Sequence, residues 1–368
     1  MHFFTQVITA AFALQYRHHS CRSHHNIPST SYRLSLSSES HTDNQKYQDM
    51  LEWLKSKGAD INSKIEIRPS TRQGSGYGVF VNDAVDADEL LFTIPRSACI
   101  TLDQALQDEA CGKIFQKIID QAGPGGATVA MAGFMAKEWL LTPTDSNPTQ
   151  DTPFGPYLRT LPWARGVNNQ EHILFWSNQE IETSLKGSMC YSEATALREE
   201  VKLAIRVLNG IVKPPIEAER RKERGEEEEQ KSGFTWPWQA ESSNEDTTSI
   251  LEGLPEAVKG AFVCLLTRAF EDEGDAEKLV PMLDMMQHSE DPSISHVMRK
   301  SDGSVQVRAR KALEGGEELF NQYRSELEES MPYHRFFTRY GFVPGVEEDM
   351  MNLLQDKSSI FFAQTAEV

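Results

Sequence analysis

The spacing of apolar residues along the chain changes character twice. Residues 44–60, NQKYQDMLEWLKSKGAD, place Met50, Leu51 and Leu54 around Trp53. This spacing predicts a short amphipathic helix that ends in lysines and Gly58. KIEIRP, GYGVFVN and ELLFTIP follow, with alternating or continuous apolar residues bounded by Gly, Asp and Pro. They read as three strands of a small β-meander. From about Thr101 to Phe270 the period becomes helical. GATVAMAGFMAKEWLL predicts an apolar helix over 126–141, and SEATALREEVKLAIRVLNG predicts one over 192–210, opened by Ser192 and closed at Gly210. Between them PFGPYLRTLPW is Pro-rich and aromatic and reads as a loop. The densely charged stretch 217–233 reads as a solvated helix face or a disordered insertion. Alternation then returns in HVMRKSDGSVQVRARKAL, a hairpin around Asp302-Gly303, with GGEELFNQY adding a turn and a short strand.

The expected organisation is α+β: a core of short sheets whose two halves are separated by a long helical insertion. The boundaries run 1–41 for a targeting presequence or disordered tail, 42–110 for the first half of the core, and 111–260 for the insertion with a charged linker at 217–249. Residues 261–345 form the second half of the core and 346–368 a short tail.

Composition narrows the partners. The net charge of -18 disfavours a nucleic-acid surface, which needs clustered Lys and Arg, and suits a basic protein segment. The five cysteines are scattered without a CxxC, so neither a zinc site nor a disulfide framework is indicated. No apolar run reaches the roughly 18 residues of a membrane span, so the mature chain is expected off the membrane and as a monomer. Residues 1–38 contain no acidic residue, and FFTQVITAAFALQY precedes a basic, Ser-rich stretch. That pattern predicts an organellar presequence, plastid rather than mitochondrial, with a cytoplasmic protein as the alternative.

Four stretches carry candidate chemistry. In QGSGYGVFV the glycines precede a strand, the reverse of a phosphate loop, yet they permit a flat ligand to approach the backbone. The alternative is a glycine-rich hairpin turn. In LLTRAFEDE, Arg268 lies among Phe262, Leu265, Leu266 and Phe270, where it either reaches solvent or pairs with a carboxylate. In LDMMQHSEDP, Asp284 and His288 are four apart, so a helix would put them on one face, as metal ligands often are. No third ligand has a persuasive spacing, so no metal is expected. His288 also reads as a satisfied core histidine. Tyr323 and Tyr340 close the set, each either a space-filling phenol or a hydroxyl placed beside a reacting amine.

In this order the pieces resemble a SET-domain methyltransferase. They are similar to the branch that includes the Rubisco large-subunit lysine methyltransferase and the actin-histidine methyltransferase. GYGVFVNDAVDADELLFTIPRSACIT resembles the opening hairpin, PYLRTLP a phrase of the insertion, LTRAF the cofactor-arginine helix, and LDMMQH the D-x-x-N-H segment. GGEELFNQY resembles the GEE-strand-tyrosine and TRYGF the closing Y-G-F. The match spans about 53–344.

The resemblance implies S-adenosylmethionine as cofactor and a protein lysine, less readily a histidine, as methyl acceptor. Arg268 would pair with the cofactor carboxylate, while Ser75, Gly76, Tyr77 and Gly78 would meet it through backbone groups. Gln287 and His288 would hold it by amide and main chain, and Phe342 would pack on the adenine. Tyr323 would be the catalytic hydroxyl, with Tyr340 and Asp284 lining the acceptor channel.

The sequence departs from the pattern where Gln287 replaces the family asparagine, and where the usual small-polar pair is not evident before Tyr340. After Gly345 a short tail stands where these relatives carry a helical substrate lobe, so substrate choice is not carried over. These departures keep open a catalytically weak or inactive SET-like module that binds a basic segment.

Overall fold

The computed structural model describes residues 40–72, 75–142, 152–163, 172–223, 253–271, 277–323 and 332–341. The expected presequence apart from residues 40–41, the rest of the charged linker and the tail lie outside them. Helix α1 (Ser40–Ser56) buries Tyr47, Met50 and Leu54, the i, i+3, i+7 stripe of an amphipathic helix. Strands β1 (Asp60–Ile61), β2 (Ile65–Pro69), β3 (Tyr77–Val81) and β4 (Leu90–Ile94) follow.

They do not form a meander. β2 and β3 pair as a two-stranded antiparallel ladder. β4 instead lies between β1 and β10 (Val305–Ala309), which in turn pairs with the edge strand β9 (Ile294–Met298). The reason is visible in burial. Val305, Val307 and Ala309 alternate inward and are fully buried, so β10 offers β4 a partner with a continuous core face. β3 is tied to the C-terminal half in its own way, through a bridge from Phe80 to Glu318. The two halves of the core are therefore interleaved.

Between them run β5 (Ile100–Thr101), α2 (Leu102–Gln107), α3 (Gly112–Ala122), α4 (Pro124–Leu141), α5 (Gly155–Leu158), α6 (Asn178–Leu185), α7 (Met189–Glu223) and α8 (Leu254–Arg268). α4 is buried almost all round from Ala130 to Ala136 and forms the centre of the insertion. The expected loop at PFGPYLRTLPW contains one helical turn, α5, opened by Pro at its N-terminus, a position that needs no N–H.

α7 also differs from expectation. It does not stop at Gly210 but continues through Pro214 and Pro215 to Glu223. The prolines remove the N–H groups that would bond the carbonyls of Gly210 and Ile211. The Ile211 carbonyl accepts the Cys111 thiol at 3.8 Å instead. A buried stripe of Val201, Ala204, Leu208, Val212 and Ile216 holds the helix across this point.

Strands β6 (Ala269–Glu271) and β7 (Glu277–Leu279) pair beside β5. β8 (Gln287–His288) pairs in parallel with β11 (Phe320–Asn321), and α9 (Tyr333–Tyr340) closes the described chain. The fold is α+β, as expected. Among the described residues no helix is long and apolar enough to cross a membrane.

Candidate active site

The site forms where α8, the segment between β7 and β8, the end of β11 and the end of α9 meet. Arg268 is the last residue of α8 and is 8% exposed. Its Nη1 donates to the Asp284 carbonyl at 2.9 Å and lies 3.6 Å from the Asp284 carboxylate. Asp284 sits in a 3-10 turn (Leu283–Met285) that follows Met282 in a left-handed conformation, φ 68°. Such strain in a buried β-unbranched residue persists only where surrounding packing imposes it, commonly at sites.

Asp284 and His288 therefore share no helix face. Asp284 turns to Arg268 and to Tyr157, whose hydroxyl donates to its Oδ2 at 2.8 Å. His288 lies on strand β8 and turns elsewhere. Among the described residues there is no group of three His, Cys, Asp or Glu that could hold a metal.

Burial pushes the Asp284 carboxyl up to about 6, because desolvation outweighs the pull of Arg268 and of the Tyr157 hydroxyl. It stays ionised at neutral pH. The same burial drives Tyr157 well above the ordinary phenol range. Among the described residues, two polar atoms of the cluster have no hydrogen-bond partner, Arg268 Nε and Asp284 Oδ1. An unfilled buried donor and an unfilled buried acceptor this close together are costly unless a ligand meets them. Their chemistry fits a carboxylate and an ammonium.

Tyr323 follows β11. Its hydroxyl donates to the Met286 carbonyl at 2.9 Å, and its own N–H donates to His288 Nδ1 at 3.1 Å. His288 therefore carries its proton on Nε2, which faces Glu290 Oε1 at 3.3 Å. The ring is a satisfied core histidine whose work is to hold the backbone of Tyr323. Burial pushes Tyr323 up to about 12, so it remains a phenol whose oxygen is an acceptor.

The Tyr340 ring centroid is 5.1 Å from that of Tyr323 and 4.6 Å from that of Phe336. α9 delivers Tyr340 at its last position, and Arg339 Nε fastens that end to the Leu266 carbonyl at 2.9 Å. From the insertion, His172 Nε2 donates to the Arg339 carbonyl at 3.1 Å.

The glycine-rich stretch approaches from β3. Gly76 has φ 72°, a conformation that suits glycine. Tyr77 packs its ring on Tyr47 of α1, centroids 4.3 Å apart with the planes tilted by 30°. Gly78 has a reason within the chain itself: a Cβ there would stand 2.3 Å from Glu318 Oε1. Gln287 Nε2 donates both to the Ser75 carbonyl and to the Met285 carbonyl, each at 3.2 Å.

Of the residues singled out from sequence, Arg268, Asp284, Gln287, His288, Tyr323, Tyr340 and the 75–78 stretch converge. Phe342 lies outside the described residues. Sequence reasoning missed Tyr157, Glu318 and His172. The one hydroxyl-bearing aromatic of PYLRTLP is the sequence signal that points to Tyr157.

The SET domain family pattern matches residues 76–324. Among curated proteins the chain is similar to the N-lysine methyltransferase SETD6 of Mus musculus, 28% identical over 140 residues, or 38% of this chain and 26% of that protein. The Rattus norvegicus counterpart is 27% identical over the same length. The matched region thus spans about a quarter of these relatives. Among solved structures, Rubisco LSMT bound to AdoMet is similar with a TM-score of 0.54 at 17% identity, over 82% of this chain and 57% of that one. Rubisco LSMT bound to sinefungin and monomethyllysine gives 0.55 at 16%, over 82% and 56%. At such identities the structural likeness speaks to the fold, and the family match covers more than half of the chain. The chain belongs to the SET-domain family.

Proposed function

We propose that the protein is an S-adenosylmethionine-dependent protein N-methyltransferase acting on lysine. The observation that carries this reading is the buried Arg268–Asp284 pair. One donor and one acceptor are left open in a pair whose charges also act on the buried phenol of Tyr323. The cofactor, when bound, supplies a methyl group already made electrophilic by its sulfonium.

The chain then has to position and desolvate. Arg268 offers Nε to a carboxylate, and Ser75, Gly76, Tyr77 and Gly78 offer backbone groups. Asp284 presents an acceptor to an amine, and Tyr323 and Tyr340 narrow the channel so that the amine loses water and points one way. The acceptor oxygen of Tyr323 also suits weak C–H···O contacts with a polarised methyl. An ionised Asp284 favours lysine over histidine, because it attracts an ammonium before that group gives up its proton.

The net charge of -18 supports a basic protein segment as substrate and disfavours nucleic acid. We further propose a monomer that works in a plastid, supported by the acid-free, Ser-rich stretch at 1–38.

The test is transfer of labelled methyl groups from S-adenosylmethionine into a protein extract, with acid hydrolysis to identify the product. Methyl-lysine is expected. No label at millimolar cofactor, together with no calorimetric binding, sinks the proposal. A second reading, a SET-like module without turnover, is favoured by one observation: both Gln287 N–H groups are engaged by the chain's own carbonyls. Cofactor binding without transfer into any extract supports that reading.

A further inference from the structure

We propose that Glu318 is a positioning residue for the cofactor. It anchors the segment that carries residues 70–72 and 75–78, and so sets cofactor affinity rather than the rate of transfer. The inference rests on the functional reading above.

Glu318 is 6% exposed and lies just before β11. A carboxylate in such a place needs donors, and among the described residues its side-chain oxygens take them from two consecutive positions. Ser70 Oγ donates to Oε1 at 2.7 Å, the Thr71 amide donates to Oε2 at 2.8 Å, and the Thr71 hydroxyl donates to the same oxygen. Charge-assisted bonds of this kind are the stronger sort. Gly78 clears the path for this reach, since any side chain there would collide with the carboxylate.

The remainder of the segment is then closed on itself and on β11. Ser70 N–H donates to the Gly76 carbonyl at 2.8 Å, and Ser75 N–H to the Arg72 carbonyl at 3.2 Å. The Arg72 guanidinium lies over the Phe320 ring at 4.8 Å. Gln287 holds the far end through the Ser75 carbonyl. Glu318, Phe320 and Gln287 thus present the 75–78 backbone from one side, the side on which β8 and β11 pair. These bonds all lie within the chain and brace the segment, and bracing of this kind reduces the ordering cost of binding.

The experiment compares wild type with Glu318→Gln, whose amide nitrogen would face the Thr71 donors, and with Thr71→Val, a milder change that keeps the carboxylate. Hydrogen–deuterium exchange over 66–80 is measured without cofactor, and S-adenosylmethionine affinity by calorimetry. Turnover at saturating cofactor is followed in parallel. Glu318→Gln is expected to speed exchange in this segment and to raise the dissociation constant about tenfold or more. Transfer at saturation should stay within about twofold of wild type. Thr71→Val should move both readouts the same way by less.

Exchange that does not change in either folded variant overturns the proposal, as does faster exchange with unchanged affinity. Wild-type protein that binds no S-adenosylmethionine overturns the functional reading and this inference together. Wild-type and Glu318→Gln proteins that bind equally overturn this inference alone.

Discussion

Replacing Tyr157 by phenylalanine removes one oxygen and asks whether the insertion tunes the carboxylate at the site. The Tyr157 hydroxyl donates to Asp284 Oδ2 at 2.8 Å, and both side chains are shut off from solvent. Burial pushes Asp284 up to about 6, against the opposing pull of Arg268 and then of Tyr157. A hydrogen bond to a charged group contributes about 1.5–3 kcal/mol, and about 1.36 kcal/mol corresponds to one pKa unit. Losing it should raise Asp284 by about one to two units. At pH 7 a carboxyl with a pKa of about 6 is roughly 90% ionised, and one at about 7.5 roughly 25%. Methyl transfer into a protein extract, followed from about pH 6 to pH 10, should rise with unit slope as the acceptor ammonium loses its proton. Below the pKa of Asp284 the profile should steepen, and in Tyr157→Phe that break should move upward by the same one to two units. The rates should converge near pH 9. The carbonyl stretch of a protonated buried carboxyl, assigned by its loss in Asp284→Asn, gives the same titration by infrared without turnover. A folded Tyr157→Phe protein in which neither the break nor the infrared midpoint moves refutes the coupling.

The remaining predictions concern other parts of the same assembly. Tyr323→Phe should lower turnover about 100-fold while changing cofactor affinity little, and equal loss of both in calorimetry and transfer assays contradicts its role at the acceptor. His172 is 3% exposed and burial lowers its pKa to about 4. The folded state therefore binds fewer protons than the unfolded state between about pH 6.5 and 4, and stability is lost as pH falls through that window. The loss amounts to about 3 kcal/mol over its full width. Denaturant unfolding of His172→Gln should show a flatter dependence over that range, and an identical slope shows that another group is responsible. A fluorescent protein carrying residues 1–41 should enter plastids, and retention in the cytoplasm excludes the presequence reading.

The local elements were legible where one period dominated. Met50 and Leu54 marked the buried face of α1, and the alternation of Val305, Val307 and Ala309 marked β10. The hairpin of β9 and β10 around Asp302-Gly303 was legible, but long-range strand partners were not, because the signal that makes β4 a strand is silent about which edge it joins. β4 pairs with β10, more than two hundred residues away in sequence. The end of α7 departs from its sequence signals for a different reason. Gly210 and the two prolines carry stop signals, yet the apolar stripe through Val212 and Ile216 outweighs them once α7 is packed. At the site, ordered motifs identified the residues that converge, but not the bonds among them. That Asp284 answers to Tyr157, 127 positions away, has no trace in local spacing.

Gln287 shows most clearly how geometry revises a reading made from residue types. As a departure from asparagine it first suggests loss, an amide displaced by one methylene from where a ligand needs it. The structure gives the extra length a use. The amide nitrogen reaches the Met285 carbonyl two residues back and the Ser75 carbonyl on the opposite segment, each at 3.2 Å. With two carbonyl acceptors around it, the nitrogen is fixed there and the oxygen is turned the other way. A side chain shorter by about 1.5 Å could not keep both bonds at this separation. What Gln287 can offer a ligand is therefore an acceptor, which suits an ammonium, while its donors brace the 75–78 backbone from the end opposite Glu318. The departure thus withdraws the amide donors from a ligand and leaves an acceptor in their place, and methyl transfer into a protein extract decides between turnover and a binding module.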